Sequence, residues 1–96
     1  MGIMPRRRKR RIIKAIPSVD FYKPRGIPLR ELEINMLTLD ETEALRLRDL
    51  EGLSMEDAAK EMGVSRRTFA RILKAARYKI VDALFHGKAI GVRREI

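Results

Sequence analysis

Apolar residues recur every three or four positions from Leu39 to Leu84, and the breaks in that rhythm fall on serine and glycine. Met55, Ala58, Ala59 and Met62 stand at i, i+3, i+4 and i+7, one face of a short helix. Leu53 and Ser54 precede it as staple and cap, and Ala59 sits where a neighbouring helix would cross. Gly63 follows the last apolar residue, where a left-handed conformation ends a helix at little cost. Ser65 is a good N-cap for a second helix, and Val64 and Phe69 are spaced to form its hydrophobic staple. Phe69, Ile72, Leu73, Ala76, Ile80, Ala83 and Leu84 then mark the buried stripe of a long helix over about 66–86, closed by Gly87. Upstream, Thr38 with Glu41 and Asp40 with Glu43 both satisfy the capping-box spacing. A first helix therefore starts at Thr38 or Asp40 and runs through Ala44, Leu45, Leu47 and Leu50 to Gly52.

The flanks carry a different pattern. Residues 1–14 form a basic arm whose run Arg6-Arg7-Arg8-Lys9-Arg10-Arg11 repels itself and does not fold alone. Pro17, Pro24 and Pro28 keep residues 15–37 extended or turning, while Val19, Phe21, Tyr22 and Ile27 give that segment apolar groups with which to dock. Ile34, Met36 and Leu37 begin either a short strand or an irregular lead-in. Residues 88–96 form a tail in which Lys88-Ala89-Ile90-Gly91-Val92 has the composition of a short strand. The expected fold class is all-α. A three-helix helix-turn-helix domain over 38–87, with a long last helix, is flanked by the extended arm and that short C-terminal strand. Val81 and Phe85 make a second apolar edge on the long helix, which receives either the proline-rich segment or a second copy of the chain. Three helices of this length bury a small core, so docking of the arm or a homodimer supplies the missing contact.

Charge sharpens this picture. The 96 residues carry a net charge of +9, unevenly placed. Residues 1–30 hold ten Lys/Arg against Asp20 alone, residues 31–61 three against ten acids, and residues 62–96 nine against two. Cations sorted onto one arm and one helix are the electrostatic footprint of a nucleic-acid binder. The second helix of the pair, with Ser65, Arg66, Arg67, Thr68, Ala70, Arg71 and Lys74 facing outward, has the character of a recognition helix for the major groove.

Other chemistry is sparse. The chain has no cysteine, so it has no disulfide framework and no zinc site of the cysteine type. His86, the single histidine, stands at a helix end beside Gly87 and reads as a solvated residue, not a metal ligand. No acid, base and nucleophile converge, and no glycine-rich phosphate loop is present. No apolar run is long enough to span a membrane. The expectation is a soluble cytoplasmic protein with no enzyme activity, cofactor or metal.

Phe21-Tyr22-Lys23-Pro24-Arg25-Gly26-Ile27-Pro28, Leu37-Thr38-Leu39-Asp40-Glu41-Thr42-Glu43-Ala44-Leu45-Arg46-Leu47, Glu51-Gly52-Leu53-Ser54 and Met62 to Leu73 together resemble a small prokaryotic family. Its members are described as DNA-binding proteins of unknown function. From about Thr38 to Leu84 the chain also resembles the promoter-binding carboxy-terminal domain of sigma factors. Nothing in the chain resembles the sigma-factor part that melts promoters. Family members often carry cysteines near the amino terminus; this chain has none, so metal or redox sensing does not carry over. The resemblance implies DNA binding and a transcriptional role.

Residues and resemblance point to a sequence-specific double-stranded DNA-binding protein, a transcriptional regulator with its recognition helix over about 66–77. Arg66, Arg67 and Arg71 are the candidates for bidentate contact with guanine, Ser65 and Thr68 for phosphate contact or helix entry, and Lys74 and Arg77 for the backbone. Arg6, Arg7, Arg8, Lys9, Arg10 and Arg11 would track phosphates or enter a minor groove, the alternative being a solvated tail. One alternative is a sequence-tolerant architectural DNA-binding or RNA-binding protein. Another is an interaction module whose acidic helices, through Glu41, Glu43 and Glu56, dock on RNA polymerase.

Overall fold

A computed structural model describes residues 11–18 and 20–94. Strands β1 (Phe21–Tyr22) and β2 (Ile34–Leu37) precede helices α1 (Leu39–Leu45), α2 (Met55–Met62) and α3 (Arg66–His86), and strand β3 (Ala89–Val92) follows. A single 3-10 turn spans Leu29–Glu31, and a π turn spans Arg46–Leu50. No described helix is long and apolar enough to cross a membrane.

Each helix begins on a side chain that satisfies its orphan N–H groups. The Glu41 N–H donates to Thr38 Oγ1 at 3.2 Å while the Thr38 N–H donates to Glu41 Oε1 at 2.9 Å, a reciprocal capping box. Ser54 and Ser65 accept from the N–H groups of Asp57 and Thr68, each at 3.0 Å. Gly63 closes α2 at φ +70°, a conformation that a Cβ would strain, and the next residue, Val64, bonds back to the Ala59 carbonyl at 3.0 Å. That return turns the chain sharply, so only three residues separate α2 from α3.

The first helix continues to Leu50, but its last turn is not α-helical. At Arg46 it widens into the π turn, with the Glu51 N–H reaching the Arg46 carbonyl at 2.9 Å. This directs Leu47 into the core and leaves Leu50 in water, 80% exposed. The core is built from Ala44, Leu47, Ala58, Ala59, Met62, Phe69, Ile72 and Leu73. Phe69 and Met62 are fully enclosed, and alanines at 44, 58 and 59 let the three helices approach closely around them.

The all-α expectation needs correction. The protein is mostly helical but carries a three-stranded sheet with β3 in the centre, antiparallel to β1 and parallel to β2. Phe21 pairs with Gly91, and Met36 lies opposite Gly91 from the other side. A Cβ at Gly91 would meet Met36 Sδ and approach Phe21 Cε1 to 3.0 Å, so a larger residue there would push the exposed Met36 side chain aside. The sheet closes the far end of α3, where Leu37, Ala83, Ala89 and Val92 are buried. A further correction concerns Leu84, which the helical stripe assigned to the core. It is 70% exposed, because the end of α3 packs on the sheet through Ala83 and turns Leu84 away. Val19 lies outside the described residues.

Candidate nucleic-acid interface

The turn at Gly63 and the cap at Ser65 set how α3 leaves the core. With Phe69, Ile72, Leu73 and Ala76 buried, helical spacing carries Arg67, Arg71 and Lys74 to the opposite side, with Arg66 at the helix start. All four are exposed, and none makes an ion pair or a side-chain hydrogen bond among the described residues. No acid stands in the first turn of α3. The positive end of the helix macrodipole therefore adds to three guanidinium groups and an ammonium. Ser65 and Thr68 are held differently. The Ser65 hydroxyl accepts from the Thr68 N–H and donates to Thr68 Oγ1 at 3.0 Å, which leaves the Thr68 hydroxyl proton for an outside acceptor.

Arg77 is not part of this unpaired row. Its Nε and Nη2 donate to the two carboxylate oxygens of Asp49 at 3.1 and 2.5 Å, a bidentate pair that ties α3 to the π turn. The Arg77 hydrogen bonds hold the Asp49 carboxyl below its ordinary range despite partial desolvation.

Of the basic run, Arg6 to Arg10 lie outside the described residues and Arg11 lies within them. Arg11 Nε stands 3.2 Å from Asp40 Oδ2, in the first turn of α1. The Ile12 N–H donates to the Met62 carbonyl at 3.0 Å, and the Ile12 side chain lies over Gly63. The Lys14 N–H donates to Glu43 Oε2 at 3.1 Å, and Lys14 Nζ to Glu61 Oε1 at 2.5 Å. The chain is thus fastened from Arg11 onward, earlier than Lys14, and Ile12 between them lies beside the turn that launches α3.

A family model described as "Protein of unknown function DUF134" matches residues 1–94. The chain belongs to the DUF134 family. A UPF0251 protein of Dehalococcoides mccartyi strain 195 is 55% identical over 89 residues, covering 93% of this chain and 76% of that protein. A UPF0251 protein of Moorella thermoacetica is 54% identical over 89 residues, covering 93% of this chain and 60% of its own length. One from Methanosarcina acetivorans is 51% identical over 83 residues, covering 86% of this chain and 74% of that protein. No solved structure matches.

In this DUF134 chain the acids proposed for a protein-docking role are placed unequally. Glu43 has no exposed surface and accepts from Arg46 Nε at 3.0 Å and Nη2 at 2.7 Å as well as from Lys14. Burial works to raise its pKa, but the Arg46 bonds and the backbone N–H groups of Lys14 and Ala15 outweigh it, and the carboxyl stays below its ordinary range. Glu41 is buried in its capping box and paired with Lys79 Nζ at 2.8 Å. Of the three acids, Glu56 alone stands in water. The one local sign that Glu43 would be enclosed is its partner Arg46 at i+3.

Proposed function

We propose that this protein is a sequence-specific double-stranded DNA-binding protein, most simply a transcriptional regulator, in which α2 and α3 act as a helix-turn-helix. The observation that carries the reading is the unpaired row Arg66, Arg67, Arg71 and Lys74 on the outer side of the first half of α3. Other described cations without an ion pair, such as Arg25, Arg30, Lys60 and Arg93, are scattered, whereas these four are gathered on one side of α3, a concentration of charge suited to an external polyanion. From Arg66 to Lys74 the helix rises about 12 Å, enough to face three or four base pairs in a groove that admits a helix. Arg66, Arg67 and Arg71 would read guanine edges, and Lys74 and the Thr68 hydroxyl would meet phosphates. The likeness to the sigma-factor promoter-binding domain supports the same role for this pair of helices. Arg77, engaged with Asp49, contributes chiefly to packing in this reading.

The anchoring of Ile12 beside Gly63, with Arg11 next to it held by Asp40, supports a role for the arm. Five residues before Arg11 reach at most about 17 Å from that point, far enough to follow the adjacent backbone or enter the neighbouring minor groove.

Titration of a duplex of about 20 base pairs against increasing salt tests nucleic-acid contact by both elements. Wild type should give a steep slope of log K against log salt, falling by about 0.9 for each phosphate contact removed. Replacing Arg6 to Arg10 by serine should flatten the slope, and Lys74→Ala should lower it by about one contact. A slope unchanged in both variants would remove these residues from the interface. Equal affinity for duplex DNA and structured RNA would favour the sequence-tolerant alternative.

A further inference from the structure

The second half of α3 carries an exposed apolar seam that the DNA-binding reading does not use. Tyr78, Val81 and Phe85 follow one another at i, i+3 and i+7, and Leu84 flanks them. They are 68%, 51%, 79% and 70% exposed respectively. Such spacing normally belongs to a face packed on another helix.

The chain's own candidate for covering this face is placed elsewhere. The proline-rich segment runs to the sheet, where Phe21 and Tyr22 pair with β3. Tyr22, Lys23 and Pro24 pass beside the base of Leu84 and leave Val81 and Phe85 in water.

We propose that the Tyr78–Val81–Phe85 seam is the interface of a homodimer, closed by α3 of a second copy across a two-fold axis near Val81. The inference is independent of the DNA-binding reading. Three features favour a second copy over another protein. The seam is self-complementary: with the axis at Val81 and the helices antiparallel, Tyr78 of one copy meets Leu84 and Phe85 of the other. Between Arg77 and Phe85 every charged side chain has a partner within the chain: Arg77 bonds to Asp49, Lys79 to Glu41, and Asp82 to Asn35 and Lys88. The area also suffices. Four side chains so exposed present on the order of 500 Å² per copy, about 1,000 Å² between two, where a specific interface begins. Leu50, on the neighbouring turn and 80% exposed, stands ready as rim.

The absence of cysteine makes the test direct. Nuclease-treated protein at 0.5 M salt, where nucleic acid does not tether chains, would be weighed by sedimentation equilibrium at about 1–100 μM, a range suited to an interface of this size. Wild type should approach twice the monomer mass, and Phe85→Lys and Val81→Glu should each remain monomeric with unchanged circular dichroism, since both sites are in water. In otherwise wild-type chains, Val81→Cys should cross-link to itself under mild oxidation, and Glu56→Cys should not. A wild type that stays monomeric across the range overturns the proposal. So does a dimer that survives Val81→Glu and Phe85→Lys together, which would put the interface elsewhere.

Discussion

The backbone N–H of Lys14 donates to the carboxylate of Glu43, a side chain with no exposed surface, at 3.1 Å. Through that bond the end of the basic arm is fastened to α1, and Arg46 completes the site from the same helix. Removing one partner of a buried, hydrogen-bonded charge pair is costly because the remaining groups stay desolvated. Arg46 keeps Glu51 as a second partner, which moderates the loss. Glu43→Ala should therefore lower stability by about 2–4 kcal/mol in urea unfolding, with an unchanged m value. It should also open Lys14 to rapid tryptic cleavage. A loss below about 0.5 kcal/mol would place Glu43 among surface acids.

Arg77 and Arg67 lie on one helix and carry the same charge, yet they should behave differently. Arg77 is bound to Asp49 at a half-exposed site, where such pairs contribute roughly 0–1 kcal/mol. Arg77→Ala should change duplex affinity less than threefold. Arg67→Ala should cost about 1–3 kcal/mol at one preferred base position. Equal losses from the two, on every sequence tested, would make both of them phosphate contacts.

Stability should fall in acid through Asp82. Hydrogen bonds from Asn35, then Lys88 and His86, hold its pKa down from 3.8 to about 2. A carboxyl depressed in the folded state contributes stability that is complete above the unfolded pKa and lost as pH falls through the folded one. The loss thus lies between about pH 4 and pH 2. Asp82→Asn should be less stable than wild type at pH 7 and should lose less on acidification, the two Tm curves meeting near pH 2. Curves that stay parallel would show that Asp82 is not part of the acid transition.

Much of the helical part was legible because its signals are local. Ser54, Ser65, Gly63, Gly87 and the Thr38–Glu41 box each act within four residues, and all stand at the helix ends that they mark. The sheet was not legible as a whole. The Lys88–Val92 and Ile34–Leu37 stretches were visible as strand candidates, but β1 is two residues long and pairs with a strand some seventy residues away. Leu84 misled for a related reason. Helical periodicity marks a face but not where the neighbouring element ends, and α1 does not follow α3 to its last turns. Asp49 and Arg77 are 28 residues apart, so their pairing left no local trace, and Arg77 was grouped with the outward cations. Candidate residues 66, 67, 71 and 74 stand together on α3, whereas Arg11 is drawn to Asp40 on α1.

The central claim is that the first half of α3 reads base sequence. The most direct measurement is selection of duplexes from a random pool at physiological salt, run in parallel with wild type and an Arg66→Ala, Arg67→Ala, Arg71→Ala triple variant. The account predicts a defined motif with wild type that disappears in the variant, while weak, salt-sensitive binding through the arm persists. Tight binding by wild type with no enriched motif, or a motif that survives in the variant, would contradict it.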